Sequence, residues 1–187
     1  MNQLKIQKFV SNVLMENGYV LYNDVHALVI DPGNVYNDIV SFLKQNKLNV
    51  LGVLLTHGHF DHCLSCKHFQ DDGIPIYIHK YDSDKLYTDG NLSKILNIDF
   101  PVFYADYLLE EGFFEIGEFK VEVIHTPGHS RGSVCYVIDD YFFSGDTFFK
   151  DGVGRTDFYD SSFIDLRNSL KKLTPYLKKP YIFCYGH

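Results

Sequence analysis

The sequence predicts an α/β fold in which helices pack on layered sheets. Apolar runs of strand length alternate with segments whose apolar residues recur at helical spacing. Several predicted strands end in a Gly beside a His or an Asp, which is typical of sheet proteins that assemble a site at one edge. The length of 187 residues suits one domain, residues 1–187, with a sizeable core.

The N-terminal third is predicted to fold as a hairpin followed by strand, helix and strand. Asn17-Gly18 is typical of a tight turn, so we expect two short paired strands within residues 6–22. Asp31-Pro32-Gly33 has the turn chemistry that ends a strand. That strand covers residues 27–30, and a helix over residues 35–43 and a strand over residues 50–55 follow it.

The rest of the chain is predicted to contain two further helices and one weakly patterned region. Residues 81–109 show no clear period, and we expect short helices and loops there. Ser162 is a suitable N-cap for an amphipathic helix that Pro175 ends. The other predicted elements are a helix near residues 64–71 and strands at residues 76–79, 119–125, 134–138, 141–143 and 181–184.

Composition and charge argue against several classes of function. The net charge of -7 disfavours nucleic acids and anionic membranes, because both require a positive protein surface. No apolar stretch approaches the length of a membrane span, and the N-terminus lacks the apolar core of a signal peptide. Cys63 and Cys66 have CxxC spacing, but no second pair follows, so we expect reduced, buried thiols. We therefore expect a cytoplasmic protein.

Four candidate metal ligands follow the strand over residues 50–55, and they are His57, His59, Asp61 and His62. On extended backbone the Cα atoms of His57 and His59 would lie roughly 7 Å apart, so both rings could reach one ion. Gly58 allows the chain to turn, and we expect Asp61 and His62 at a strand-to-helix corner. Crowded buried imidazoles and a carboxylate are costly unless a cation pairs them, so the cluster predicts a metal site.

Other ligand-type residues follow a Gly at the ends of predicted strands. These pairs are Gly58-His59, Gly128-His129, Gly145-Asp146 and Gly186-His187. We expect the four pairs to meet in space, because Gly lets the backbone turn sharply toward a shared centre. His57, His59 and His129 would then hold one ion. Asp61, His62 and His187 would hold a second, with Asp146 bridging the two.

This donor set suits two zinc ions per chain, with iron or manganese as alternative ions. Two ions about 3.5 to 4 Å apart can share one water and lower its pKa from about 15.7 toward about 7, so a bridging hydroxide is the expected nucleophile. The site therefore suits hydrolysis of an activated carbonyl. We predict Asp61 and Asp146 as catalytic residues in addition to their role as ligands.

Five motifs in order resemble the metallo-β-lactamase superfamily, and they are IDPG, HGHFDH, TPGHS, SGDTFF and the terminal YGH. The resemblance implies a four-layer α/β/β/α sandwich that binds metals at one edge. It also implies that Asp31 of the IDPG motif supports the metal-binding loop, with a simple turn role as the alternative. The resemblance also implies a further segment after the last Gly-His pair, whereas the ligand His187 is the last residue of this sequence. A ligand at the end of a chain is mobile, so we expect the second metal to be loosely held.

The stretch GDTFFKDGVGRTDF, residues 145–158, resembles the short glyoxalase II-like (hydroxyacylglutathione hydrolase-like) group. The implied activity is hydrolysis of a small hydroxyacyl thioester such as S-D-lactoylglutathione. Lys150 and Arg155 are the predicted contacts for an anionic substrate. An ion pair with Asp157 is the alternative role for Arg155.

Other functions fit part of the same pattern. A persulfide dioxygenase, which belongs to the same superfamily and has a GRTDF stretch, would use a single iron held by His57, His129 and Asp146. A metal-binding protein without turnover is a second alternative. Hydrolysis of penicillin-type substrates is less favoured, because the best-known lactamase subclass has a Cys where this chain has Asp146.

Overall fold

The first sheet of the computed structural model, which describes residues 3–187, consists of six strands. They are β1 (Lys5–Val10), β2 (Asn17–Tyr22), β3 (His26–Ile30), β4 (Asn49–Leu54), β5 (Ile76–His79) and β6 (Tyr107–Leu109), and they lie side by side in chain order. β1, β2 and β3 pair antiparallel, whereas β3 to β6 are parallel. The parallel strands therefore all end at the same edge.

The second sheet is built from the C-terminal part of the chain. Its strands are β7 (Gly112–Ile116), β8 (Phe119–His125), β9 (Val134–Ile138), β10 (Tyr141–Gly145) and, after the short hairpin of β11 (Phe148–Phe149) and β12 (Gly152–Val153), β13 (Ile182–Tyr185). Their spatial order is β13-β10-β9-β8-β7. β9 is antiparallel to β8 and β10, and β13 is parallel to β10. β8, β10 and β13 consequently run in one direction.

The helices cover the outer faces of the two sheets. They are α1 (Tyr36–Asn46), α2 (Phe60–Cys63), α3 (Cys66–Asp71) and α4 (Phe163–Leu177), with 3₁₀-helical turns at Ser83–Tyr87, Asp89–Asn91 and Ser93–Leu96. Ile39 and Leu43 of α1 and Phe69 of α3 pack on the first sheet, and Leu173 of α4 packs on the second. Each helix thus buries one apolar face against a sheet.

The main core lies between the two sheets. Leu21, Leu28 and Leu54 of the first sheet pack with Val121 and Tyr136 of the second in one buried cluster. β9 is buried throughout, because its alternate residues face this core and α4. The predicted single-domain α/β/β/α sandwich is confirmed.

The N-terminal hairpin forms, but its predicted turn was wrong. Asn17-Gly18 begins β2, and residues 11–16 make the connection, with the Ser11 amide donating to the Glu16 carbonyl over 2.8 Å. Tertiary contacts explain the shift: the Asn17 amide donates to the Gly186 carbonyl over 2.7 Å, and its side chain donates to the Tyr185 carbonyl. Pairing with the C-terminal strand outweighs the local turn preference.

Two helices and several short strands also differ from prediction. The helix expected near residues 64–71 begins at Phe60 and is split into α2 and α3. α4 passes through Pro175 to Leu177, because a proline so close to the helix end removes little intrahelical bonding and Tyr176 is anchored to Glu122. β6, β7, β11 and β12 were not predicted as strands. The predicted N-cap is confirmed, since Ser162 Oγ accepts from the Asp165 amide over 3.2 Å.

Two further observations concern the described residues. The four cysteines are buried free thiols, as the sequence predicted. Across residues 3–187, every helix is too short or too polar to traverse a lipid bilayer.

Candidate metal centre

Four strands end at the edge where the candidate ligands collect. His57, His59, Asp61 and His62 follow β4, and His129, Asp146 and His187 follow β8, β10 and β13. Because β8, β10 and β13 share one direction, their carboxyl ends meet at this edge. Strand direction therefore explains why the three ligands that follow these strands converge, and β4 of the first sheet brings the other four to the same edge.

Glycines allow the closest approaches at this edge. Gly145 has φ +48°, a conformation that other residues rarely adopt, and a Cβ there would overlap Thr56 Oγ1. A Cβ at Gly186 would overlap the Asp146 carboxylate. Gly145 consequently lets the end of β10 lie against Thr56, and Gly186 lets the end of β13 lie against Asp146.

His57, His59 and His129 form the first candidate ligand group. Their ligand nitrogens all lie within 4.8 Å of one another, and the three residues are buried. Nδ1 of His59 lies 3.0 Å from Nε2 of His129, and the two rings are nearly perpendicular, at 82°. The three rings thus converge on one small volume, as the sequence analysis expected.

Asp61, His62 and His187 form the second group. Oδ2 of Asp61 lies 3.5 Å from Nε2 of His187 and 3.9 Å from Nε2 of His62. His187 is held in this position, because its Nδ1 hydrogen-bonds to the Leu14 carbonyl over 3.1 Å.

Asp146 lies between the two groups. Its Oδ1 is 3.4 Å from Nε2 of His62, and its Oδ2 is 3.5 Å from Nε2 of His129 and 3.6 Å from Nε2 of His187. The carboxylate therefore faces both groups, as a bridging ligand would. The structure brings all seven predicted ligands together, and metal binding by them stays a prediction.

Unpaired atoms test whether these residues fit a metal ion. Among residues 3–187, Nε2 of His57, His59 and His62 and Oδ1 of Asp146 are buried without a hydrogen-bond partner. Burying such groups unpaired costs about 1–3 kcal/mol each. Imidazole nitrogen and carboxylate oxygen are ligands that divalent transition metals prefer, so the cluster fits such an ion.

The opposite nitrogen of most rings is hydrogen-bonded away from the cluster. Nδ1 of His57 lies 3.2 Å from Thr56 Oγ1, and Nδ1 of His129 lies 2.9 Å from the Arg155 carbonyl oxygen. Nδ1 of His62 lies 3.1 Å from Asp31 Oδ2. Such contacts orient the rings and leave Nε2 directed at the cluster.

Asp31 combines the two roles that the sequence left open. It sits in the turn after β3 with φ +45°, and it accepts from the Thr56 amide over 2.8 Å and from the Thr56 hydroxyl over 2.6 Å. Because the same carboxylate also contacts His62, it joins the end of β3 to the loop that follows β4.

Electrostatics differ between the two groups. Burial, together with neighbouring imidazoles, lowers the pKa of His57 and His59 well below the usual value. Burial also acts to lower the pKa of His62, but Asp146, Asp61 and Asp31 outweigh it and hold that pKa well above the usual value. The carboxylates of Asp61 and Asp146 thus create an environment around His62 that favours positive charge.

Asp82 is a buried residue that the sequence analysis left in the weakly patterned region. Its Oδ2 accepts from the Gly58 amide over 2.9 Å and from Ser130 Oγ over 2.7 Å, and its Oδ1 accepts from the Gly132 amide over 2.6 Å. It therefore connects the loop of His57 and His59 with the loop of His129. No local sequence signal marks it, because its partners are distant in the chain.

A cavity of about 720 Å³ opens beside the cluster. It is lined by Leu14, His59, Phe60, Asp61, Leu92, Ile95, Leu96, His129, Asp146, Phe149, Val153, Gly154, Arg155, Asp157, Phe158 and His187. Arg155 forms a bidentate ion pair with Asp157, with both N–O distances at 2.7 Å. Lys150 is exposed on the neighbouring hairpin and is not part of the lining. Substrate binding by Lys150 and Arg155 stays a prediction.

Comparison with known proteins identifies the family. A model of the "Metallo-beta-lactamase superfamily" matches residues 11–187. The chain belongs to this superfamily. The probable metallo-hydrolase YqgX of Bacillus subtilis (strain 168) is 32% identical, over 98% of this chain and 90% of that protein. The hydroxyacylglutathione hydrolase of Francisella tularensis subsp. novicida (strain U112) is also 32% identical, over 89% of this chain but only 60% of that protein.

Solved structures of the superfamily share the fold. The crystal structure of the BLEG-1 B3 metallo-beta-lactamase has a TM-score of 0.92 and 34% identity, over 98% of this chain and 91% of that one. TTHA1623 in a di-iron-bound form has a TM-score of 0.84 and 28% identity, over 97% and 91% of the two chains. The superfamily fold binds divalent metals, and this chain carries candidate ligand clusters for them.

Proposed function

We propose that this metallo-hydrolase cleaves hydroxyacyl thioesters, with S-D-lactoylglutathione as the reference substrate and two zinc ions per chain as cofactor. One observation carries the proposal: two adjacent ligand groups share the carboxylate of Asp146 at the end of an open cavity. A second group beside the first favours a two-ion centre over the single iron of a persulfide dioxygenase.

Bound metal ions and protein side chains would have different roles in this centre. Bound divalent ions supply Lewis acidity, activating water near neutral pH and stabilising negative charge on oxygen. His57, His59 and His129 would hold one ion, and Asp61, His62 and His187 the other. Asp31 and Thr56 keep the rings of His62 and His57 oriented.

The proposed reaction is a simple hydrolysis. The oxygen of a water molecule bonds to the thioester carbonyl carbon, the carbon–sulfur bond breaks, and the leaving sulfur takes a proton. The products are a hydroxy acid and a free thiol. The cavity lies directly beside Asp61 and Asp146, so a carbonyl bound in it would be close to both carboxylates.

Relatives support the reaction class more strongly than the thiol carrier. A hydroxyacylglutathione hydrolase is among the similar proteins, but this chain spans only 60% of its length. Similarity to a di-iron protein also makes iron the main alternative to zinc.

The test combines metal quantification with a thioester screen on the purified full chain. We expect about two zinc ions per chain and release of free thiol from S-D-lactoylglutathione or a related hydroxyacyl thioester. His57→Ala and Asp146→Asn should each lower kcat at least a hundredfold and reduce metal content. His68→Ala is the matched control, because His68 is exposed and lies outside the cluster, and it should leave both unchanged.

Other outcomes would replace the proposal. One iron per chain with oxygen consumption on glutathione persulfide would identify a dioxygenase. Two bound ions without cleavage of any thioester would identify a metal-binding protein without turnover. Cleavage of a chromogenic cephalosporin with no thioesterase activity would identify a β-lactamase.

A further inference from the structure

Apart from the candidate metal ligands, the lining of the cavity is mainly apolar. Leu92, Ile95 and Leu96 lie close together in the chain and are called the wall here, and Phe149, Val153 and Phe158 belong to the same lining. Ile95 and Leu96 are 67% and 48% exposed, so they add little to the core. Exposed apolar side chains gathered around a site mark a surface that binds an apolar ligand.

Two leucines of the cavity lining have left-handed backbone conformations. Leu92 has φ +69° and Leu14 has φ +57°, and both line the cavity. A non-glycine residue rarely adopts this conformation, and such strain tends to occur at functional sites.

The segment that carries Leu92, Ile95 and Leu96 is anchored below the cavity. Asn91 is buried, accepts from the Ser93 amide over 2.9 Å, and donates to the Thr88 carbonyl over 2.8 Å and to the Lys85 carbonyl over 3.1 Å. Lys85 is itself buried and paired with Asp160 at 2.5 Å. The wall is therefore fixed to the rest of the fold.

Charge around the cavity disfavours an anionic carrier. Arg155 is the one lysine or arginine in the lining within residues 3–187, and Asp157 already engages it through two hydrogen bonds. Its guanidinium also stacks on Phe158, 4.6 Å from the ring centroid. The carboxylates of glutathione would find no unpaired cation among these lining residues.

We propose that the substrate is a thioester carrying an uncharged apolar group that binds against Leu92, Ile95 and Leu96. This inference rests on the proposed thioesterase function and narrows its substrate class. The apolar group can belong to the acyl part or to the thiol part, since both extend from the same scissile carbonyl. S-D-lactoylglutathione is then cleaved less efficiently than a more apolar thioester.

The experiment uses the zinc-loaded full chain and two substrate series. The first varies the acyl group from acetyl to octanoyl on N-acetylcysteamine, an uncharged thiol. The second keeps D-lactoyl and varies the thiol among glutathione, N-acetylcysteamine and benzyl mercaptan. If the wall binds the acyl group, we expect kcat/KM to rise about threefold per added methylene of the acyl series until the wall is covered. If it binds the thiol part, we expect kcat/KM to be highest for benzyl mercaptan and lowest for glutathione. The series that responds identifies the side of the substrate that the wall binds.

Two variants test the assignment of the wall. In the series that responds, Ile95→Ser should lower the ratio of kcat/KM between the most and the least apolar substrate at least fivefold. Ile164→Ser is the matched control, because Ile164 is 71% exposed on α4 and does not line the cavity. It should leave the ratio unchanged.

The results separate this inference from the function on which it rests. Cleavage of thioesters with neither a dependence on acyl chain length nor a preference for benzyl mercaptan over glutathione would overturn the inference alone. So would a tenfold loss of activity on S-D-lactoylglutathione in Lys150→Gln or Arg155→Gln together with no effect of Ile95→Ser. Failure to cleave every thioester would overturn the proposed function and the substrate class with it.

Discussion

Four of the five imidazoles in the candidate metal centre are oriented by a neighbour on the side away from the cluster. The neighbours of His57, His62, His129 and His187 are a hydroxyl, a carboxylate and two backbone carbonyls. Asp31 differs from the rest because its single carboxylate contacts both Thr56 and His62. A substitution of Asp31 should therefore lower the affinity for metal.

Asp31→Asn should weaken metal binding by roughly 10- to 100-fold. The amide keeps one acceptor oxygen, so an N–H group must replace either Oδ2, which meets the Thr56 hydroxyl and His62, or Oδ1, which accepts from the Thr56 amide. Competition with a chelator of known affinity measures the change. Asp38→Asn, an exposed residue of α1, is the control, and equal affinities in the two variants would contradict the prediction.

His79 provides a prediction about pH, because it is buried outside the metal centre and stacks on His125 with ring centroids 4.2 Å apart. Burial, with His125 and Lys80, lowers the pKa of His79 to about 4, against the opposing effect of Glu110 and Glu111. The unfolded chain, with a pKa near 6.5, then binds more protons between about pH 4 and 6.5. The folded protein should lose stability as the pH falls through this window.

His79→Phe keeps the stacked ring and removes the titration. Between pH 7 and pH 5 the wild type should lose at least about 1 kcal/mol more unfolding free energy than the variant. Urea denaturation at both values measures the difference, and protonation of the metal ligands cancels in the comparison. Parallel losses in the two proteins would show that His79 does not contribute.

At the scale of elements, the metal centre depends on loops that are tied to one another. Asp82, in the turn after β5, bonds to the loop after β4 and to the loop after β8. The buried Lys85–Asp160 pair links the same turn to the segment before α4. The loop after β4, the loop after β8 and the segment before α4 are therefore all bonded to the turn after β5 through one polar network. Loss of this network should affect both stability and metal binding.

Asp82→Asn should lower the unfolding free energy by about 1–3 kcal/mol, because an amide N–H would face the backbone N–H donors that now meet a carboxylate. The metal content should fall as well, since Gly58 lies between His57 and His59. Denaturant unfolding and metal quantification measure the two effects. Asp84→Asn is the control two residues away, where the side chain is 46% exposed, and an equal loss there would contradict the prediction.

At the scale of the molecule, the candidate ligands come from both sheets. β4 of the first sheet and β8, β10 and β13 of the second deliver them to one edge. A bound ion would therefore cross-link the two layers, in addition to satisfying the buried Nε2 atoms of His57 and His62.

Metal removal should consequently lower the melting temperature. Metal at a concentration about 100 times its Kd adds about 2.7 kcal/mol to the free energy of unfolding. For a domain of this size, that corresponds to a rise of roughly 5–10 °C in melting temperature. Calorimetry before and after treatment with a chelator measures the shift. His57→Ala should show a smaller shift, and identical melting temperatures for the metal-loaded and metal-free wild type would contradict the cross-link.

The sequence by itself determined most of the strands, the amphipathic helices and the candidate ligands. Hydrophobic periodicity and helix capping depend only on residues that are close together in the chain. For this reason β5, β8, β9 and the Ser162 N-cap could be predicted from short segments. The Gly-ligand pairs could be located for the same reason, because each stands at the end of its own strand.

Only the tertiary structure decided the contacts between distant segments. It moved the hairpin turn away from Asn17, which pairs with the last strand, and it buried Asp82 between two loops. It also brought Leu92 and Ile95 from a weakly patterned region to the cavity wall. The physical reason is common to all of them: the free energy of each contact depends on a partner that the surrounding residues in the chain do not reveal.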